Sequence, residues 1–286
     1  MSRILPQMRL PWRKKLRVGI ALGGGGVRGR AHIPVLQVLD DMGITPACVA
    51  GTSMGAIIGV LYCGGMTAAE IREELLGAGQ RRLRFPRLLK GHELLKWLQF
   101  VLPDLDGRSL FRADKFLDYL FQRIQSFRFE ELKIPLQVVA ADFWAREPVV
   151  FRSGDLLTAV QASMAVPGVF APVLRDGRLL VDGGMVNPVP WDILTGDCDM
   201  TIAVEVTGRR ITSRKDRPSI TELLFNTYET AEQNLNRLKK SLSPPDIYVA
   251  PELTNIGMLE FHKVDQVFRQ TESACAQLRK DLEKLL

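Results

Sequence analysis

The chain has 286 residues, 46% of them hydrophobic and 24% charged, a length one core can organise and a composition that excludes long disordered tracts. Its formal net charge of +6 suits an anionic partner without distinguishing a lipid headgroup from a nucleic acid. Cys48, Cys63, Cys198 and Cys275 stand far apart with no CxxC pair, which argues against a metal site or a disulfide framework and for a reducing compartment.

Residues 1–16 read as a basic leader without the apolar run of an export signal. No stretch offers about 18 uncharged apolar residues, so no transmembrane helix is predicted and the cytoplasm is the expected location. The first strand is predicted over Val18–Leu22, followed by Gly23-Gly24-Gly25-Gly26 and a helix from about Val27 to Met42. A second apolar run, Ala47–Ala50, leads through Gly51-Thr52-Ser53-Met54-Gly55 into a buried helix over Ala56–Tyr62. Thr67-Ala68-Ala69-Glu70 is a capping box that opens another helix. Residues 79–112 then change texture. Arg81, Arg82, Arg84, Arg87 and Lys90 come without an acid, and Leu94, Leu95, Leu98, Val101 and Leu102 follow at helical spacing, as in a lid-like insertion. Beyond it a helix is predicted near 113–126, strands over Leu136–Ala141 and Val149–Arg152, and a hairpin over Val173–Val181 turning at Asp176-Gly177. Strands at Thr201–Val206 and Ile247–Ala250 and helices over 219–240 and 262–284 complete the chain. This alternation predicts an α/β fold, a central mostly parallel sheet with helices on both faces.

Two glycine-bearing turns follow the first two strands. Gly51-Thr52-Ser53-Met54-Gly55 fits the GxSxG elbow, in which small neighbours let the backbone fold sharply beneath a projecting serine. The run Gly23 to Gly29 presents bare N–H groups near a helix start, an anion cradle able to hold an oxyanion, with Arg28 adding a fixed charge. Gly24-Gly25-Gly26-Val27-Arg28-Gly29 also satisfies GxGxxG, the dinucleotide fingerprint. The acid that fingerprint needs after the second strand is missing, since Asp40 and Asp41 come too early, and no Gly-Lys-Ser/Thr marks a P-loop. A serine nucleophile needs a base. His32 falls at helix-packing spacing from Leu36 and Leu39, and neither His92 nor His262 has an acid or amide context. Asp182, ending the apolar run Leu179-Leu180-Val181 before Gly183-Gly184, is the better candidate, although Asp-Gly is also a common turn.

Taken together and in order, Gly23 to Gly29, Gly51 to Gly55 and Asp182-Gly183-Gly184 resemble the patatin-like phospholipases. Ala162 to Pro172 and Asn187-Pro188-Val189-Pro190 are similar to the blocks that flank that family's catalytic acid, and the closest likeness is to bacterial members related to neuropathy target esterase. The resemblance spans about 17–206. It implies a three-layer patatin-like catalytic domain there, with 207–286 completing the same domain. It implies a Ser53–Asp182 dyad, an oxyanion hole from Gly24, Gly25 and Gly26 supported by Arg28, and structural roles for Gly29, Gly51, Gly55, Gly183 and Gly184. The implied reaction is hydrolysis of lipid acyl esters such as (lyso)phospholipids, with no cofactor and no metal. Residues 207–286 carry no recognised motif. A non-catalytic lipid- or nucleotide-binding module on the same fold is the alternative. The arginines at 81–87 include one aromatic, Phe85, and no nucleic-acid fold motif, so no nucleic-acid partner is expected. The leader, with Trp12 among arginines and lysines, and residues 79–105 are expected to touch an anionic membrane surface. Oligomeric state leaves no mark in the sequence.

Overall fold

The computed structural model describes residues 16–82, 117, 121, 123–194, 196–209 and 220–285. The expected leader and most of the helix near 113–126 lie outside these residues. The expected insertion at 79–112 begins inside a helix that runs to Arg82, and the rest of it also lies outside them.

Four strands are buried along their whole length, β1 (Val18–Leu22), β2 (Cys48–Thr52), β3 (Leu136–Asp142) and β7 (Met200–Val204). Continuous apolar strands of this kind belong inside a sheet covered on both faces. β2–β1–β7 pair in parallel, β3 joins β2 in parallel, and β8 (Ile247–Val249) extends β7 in parallel. β4 (Glu147–Phe151), β5 (Val173–Arg175) and β6 (Arg178–Asp182) add antiparallel pairings at the β3 end. The sheet is therefore mixed and mostly parallel, in the order β5-β6-β3-β2-β1-β7-β8 with β4 also on β3.

Side-chain size divides the two faces. Ile20, Leu22, Val49, Ile202 and Val204 enter the main core with α1 (His32–Asp41), α2 (Met54–Cys63) and α3 (Ala68–Arg82). The alternate positions Ala21, Ala50 and Ala203 are small, and Val189, Trp191 and Leu194 pack into the space they leave. Helix α4 (Leu156–Ser163), which the sequence reading missed, is short and capped by Asp155, whose carboxylate accepts from the Thr158 amide at 2.8 Å. Two long helices follow, α5 (Ile220–Leu242) and α6 (Val264–Leu285).

The helix expected from Val27 is split. Gly26–Ala31 winds as a 3-10 turn and α1 starts only at His32. Gly26 sits at φ 57°, and the Val27 amide donates to Met258 O at 2.9 Å, which holds this stretch in its tighter winding.

Register explains how distant segments meet. Val138 and Val139 pair with both β2 and β4, while Ala140, Ala141 and Asp142 pair with both β4 and β6. A strand has two edges, so β2 and β6 share one edge of β3, end to end and running in opposite directions. β2 ends with Thr52 beside Val139, and β6 ends with Asp182 beside Ala140. The residues after Thr52 and at Asp182 thus arrive head to head. β6 runs antiparallel to β3, as well as to β5 in the expected hairpin, and the shared edge brings Asp182 to the end of β2.

Candidate active site

Ser53 stands between β2 and α2 with φ 54° and ψ −120°, a conformation that costs an L-residue on the order of 1–3 kcal/mol. The surroundings enforce it. A Cβ on Gly55 would lie 2.0 Å from Leu22 O, and one on Gly51 would lie 2.7 Å from the Ala56 backbone, so neither position accepts a side chain. The Ser53 amide donates to Ser163 Oγ at 2.8 Å, and that hydroxyl donates to Val139 O at 2.6 Å. The Thr52 hydroxyl donates to Asn187 O at 2.8 Å. The serine side is thereby pinned to α4, to β3 and to the segment after Asp182.

Asp182 is fully buried. Its amide donates to Ala165 O at 3.0 Å, and its Oδ1 accepts from the Gly184 amide at 2.7 Å and from the Tyr228 hydroxyl at 2.8 Å. Burial pushes its pKa up from 3.8 to about 6, against the opposing pull of Gly184, Ser53 and Tyr228. Oδ2 is buried and carries no hydrogen bond of good geometry. Ser53 is among the groups that favour the ionised form of this carboxyl. Gly183 passes the β3 backbone so closely that a Cβ would lie 2.3 Å from Val139 O.

The glycine run lies against both. Gly23 and Gly24 donate to Val204 O and Pro188 O, each at 3.0 Å, so these amides are engaged. The amides of Gly25 and Gly26 have no acceptor among the described residues. Cβ atoms on Gly25 and Gly26 would strike Val206 and Met258, whereas one on Gly24 would stand 3.4 Å from both Ser53 Cβ and Glu232 Oε1. Gly24 is thus the glycine of this run whose missing side chain leaves room over Ser53. Arg28 is buried and spends its donors elsewhere, two on the Glu229 carboxylate at 2.7 and 3.3 Å and Nε on Gly25 O at 3.3 Å. It braces the loop from behind. A Cβ on Gly29 would strike Met54, packing the run against the start of α2.

No described histidine stands beside Ser53 and Asp182. His32 is buried beneath the glycine run with Nε2 2.8 Å from Gly23 O, which requires Nε2 to carry the proton, and burial lowers its pKa to about 4. His262 is exposed in a 3-10 turn before α6, and His92 lies outside the described residues. No group of three His, Cys, Asp or Glu side chains among the described residues is placed to hold a metal. No helix of the described residues is long and apolar enough to cross a membrane.

The sequence profile of the patatin-like phospholipases matches residues 20–195, from β1 past both loops to the segment beyond Asp182. The chain belongs to the patatin-like phospholipase family. An NTE-family protein of Mycobacterium tuberculosis is 36% identical over 212 residues, which cover 73% of this chain and 55% of that relative. Human patatin-like phospholipase domain-containing protein 6 is 33% identical over 183 residues, 62% of this chain and 12% of that protein. Drosophila melanogaster neuropathy target esterase sws is 29% identical over 186 residues, 64% of this chain and 12% of that protein. The match thus takes in little more than half of the mycobacterial relative and a small part of the animal ones. Among solved structures, VipD from Legionella pneumophila superposes with a TM-score of 0.51 at 14% identity, covering 92% of this chain and 67% of that one, a likeness of fold.

The profile match ends before α5, yet α5 reaches the glycine run, the Asp182 turn and the segment after it. Tyr228 holds Asp182, Glu229 holds Arg28, and Lys239 donates to Asn187 Oδ1, Val189 O and Asp192 Oδ1. Tyr228, Glu232 and Asn236 recur at four-residue spacing, and Glu232 and Asn236 are buried, while Leu223, Leu224, Leu238 and Leu242 are each more than half exposed. The sequence reading missed these residues and Ser163. Polar residues at i, i+4 and i+8, set apart from the leucines, were the available signal.

Proposed function

We propose that this patatin-like chain is a serine hydrolase of glycerolipid acyl esters, working through Ser53 and Asp182. The observation that carries the reading is the head-to-head ending of β2 and β6, which brings a strained, elbow-mounted serine to a buried carboxylate with no histidine between. With a pKa of about 6, Asp182 is ionised at neutral pH and able to accept a proton. It takes the Ser53 proton as Oγ attacks the acyl carbonyl. The C–O double bond opens to an oxyanion, for which the unengaged amides of Gly25 and Gly26 and that of Met54, next after the nucleophile, are the donors in reach of the elbow. Collapse expels the alcohol, which receives the proton from Asp182. Water, deprotonated by the same carboxylate, then cleaves the acyl-serine ester and restores both groups. The esterase and phospholipase names of the animal relatives support this substrate class.

The test is labelling by a fluorophosphonate probe together with fatty-acid release from phospholipid and lysophospholipid. Ser53→Ala is expected to take no label, and Asp182→Asn to lose about 10²–10⁴-fold in turnover. Equal labelling of Ser53→Ala and wild type, or near-normal turnover in a folded Asp182→Asn, refutes the dyad.

A further inference from the structure

Glu232 has no place in the reaction as written, yet it lies within the reactive site. It extends from the inner face of α5 and is only 1% exposed. Its Oε1 occupies the space that two glycines leave open, 3.4 Å from where a Cβ on Gly24 would stand and 2.2 Å from where one on Gly184 would stand. One of these glycines belongs to the loop over Ser53 and the other to the turn that holds Asp182. Its Oε2 is buried and has no hydrogen-bond partner.

The charges around it are mostly of its own sign. Asp182 faces it from the end of β6, Glu229 from one turn earlier on α5, and Glu205 from the segment after β7. The Tyr228 phenol lies beside the same Gly184 position. Arg28 is the cation acting on Glu232, and its guanidinium is already bonded twice to Glu229. A carboxylate without donors and surrounded by acids has no source of compensation in a dry site. Burial first, and then Asp182, push its proton affinity well above the carboxylate range.

We propose that Glu232 is the uncharged partner of Asp182, a proton-bearing carboxyl that leaves the Asp182–Glu232 pair a single negative charge and halts the reaction when it ionises. Two adjoining buried carboxyls do not both ionise readily, and the one that keeps its proton decides what the other can do. With Glu232 neutral, Asp182 is free to be the anion that takes the serine proton. With Glu232 ionised, a second negative charge would hold the serine proton more tightly on Asp182 and hinder its transfer to the departing alcohol. It would also oppose the oxyanion forming over Ser53, whose Cβ is 3.4 Å from the same point above Gly24. Glu232 is a positioning residue in this scheme, acting through Asp182, and the inference rests on the reading of Asp182 as base.

The experiment is the pH profile of kcat on a soluble acyl ester, each protein normalised to its own maximum and corrected for folded fraction by circular dichroism. Wild type is expected to rise through an acid limb near pH 6, where Asp182 ionises, and to fall through an alkaline limb. Glu232→Gln keeps the shape of the side chain but cannot ionise, so it should retain the acid limb and lose the alkaline one. Tyr228→Phe, which removes the other high-titrating group, should keep the alkaline limb. A wild type without that limb, a Glu232→Gln profile that still has it, or its loss in Tyr228→Phe would overturn the proposal. Difference infrared spectroscopy gives a readout independent of turnover. A protonated-carboxyl carbonyl band at about pH 8, where ordinary carboxyls are ionised, should be present in wild type and in Asp182→Asn and absent from Glu232→Gln. Its absence from wild type, or its persistence in Glu232→Gln, rejects the neutral acid. Retained turnover in Asp182→Asn alone rejects the base and leaves the infrared result standing.

Discussion

At the scale of single residues, the proposed dyad is held in place by Ser163. One hydroxyl accepts from the Ser53 amide and donates to the β3 carbonyl at Val139, and two residues on, Ala165 O holds the Asp182 amide. The C-terminal end of α4 therefore fixes the distance between Ser53 and Asp182. Ser163→Ala would orphan a buried donor and a buried acceptor, each worth about 1–3 kcal/mol when left unmade. We expect it to destabilise the fold by that order and to lower kcat by more than the folded fraction explains, with KM little changed, because the elbow loses aim while the binding surface is untouched. Unchanged kcat per folded molecule would show that the elbow holds its geometry without the bridge.

At the scale of elements, α5 shows what was legible in the sequence and what was not. The strands, the glycine run, the elbow and Asp182 announce themselves through local pattern, because each needs particular residue types at fixed offsets. The splitting of the first helix, the pairing of β6 with β3 and the inward face of α5 depend on partners far along the chain, such as Met258 for Val27 and Asp182 for Tyr228. Arg28 illustrates the difference: its place beside the glycine run was visible, but its partner Glu229, 201 residues away, was not. Removing one member of a buried ion pair strands the other, at about 3–5 kcal/mol. Glu229→Ala should approach that loss in chemical denaturation, reduced because Glu229 keeps 15% exposure, and should also slow turnover, since Arg28 Nε holds the Gly25 carbonyl. Full activity in the folded fraction would separate the pair from the loop.

At the scale of the whole molecule, two buried titrating groups set opposite slopes on stability against pH. Asp182 keeps its proton more tightly in the fold, so it costs stability as pH rises from 3.8 through about 6, on the order of 3 kcal/mol in full. His32 is held neutral, so its contribution is present above 6.5 and is lost as pH falls towards about 4. Over roughly pH 4–6 the two offset each other. Asp182→Asn should therefore be more stable than wild type above about pH 6, equal to it below about pH 4, and visibly steeper in acid because the histidine slope is unmasked. Denaturant midpoints across pH measure this, and parallel curves for the two proteins would contradict it. The inverted character of α5 has a different consequence. A helix seated on leucines can creep along an apolar surface at little cost, since such contact has no direction. α5 is seated instead on Tyr228–Asp182, Glu229–Arg28, Asn236–Glu205 and Lys239–Asp192, four directional bonds spread over three helical turns. A slip of one turn, about 5.4 Å, would break all four together. The helix consequently has one seating, and the outward leucines can change in size or number without moving Asp182.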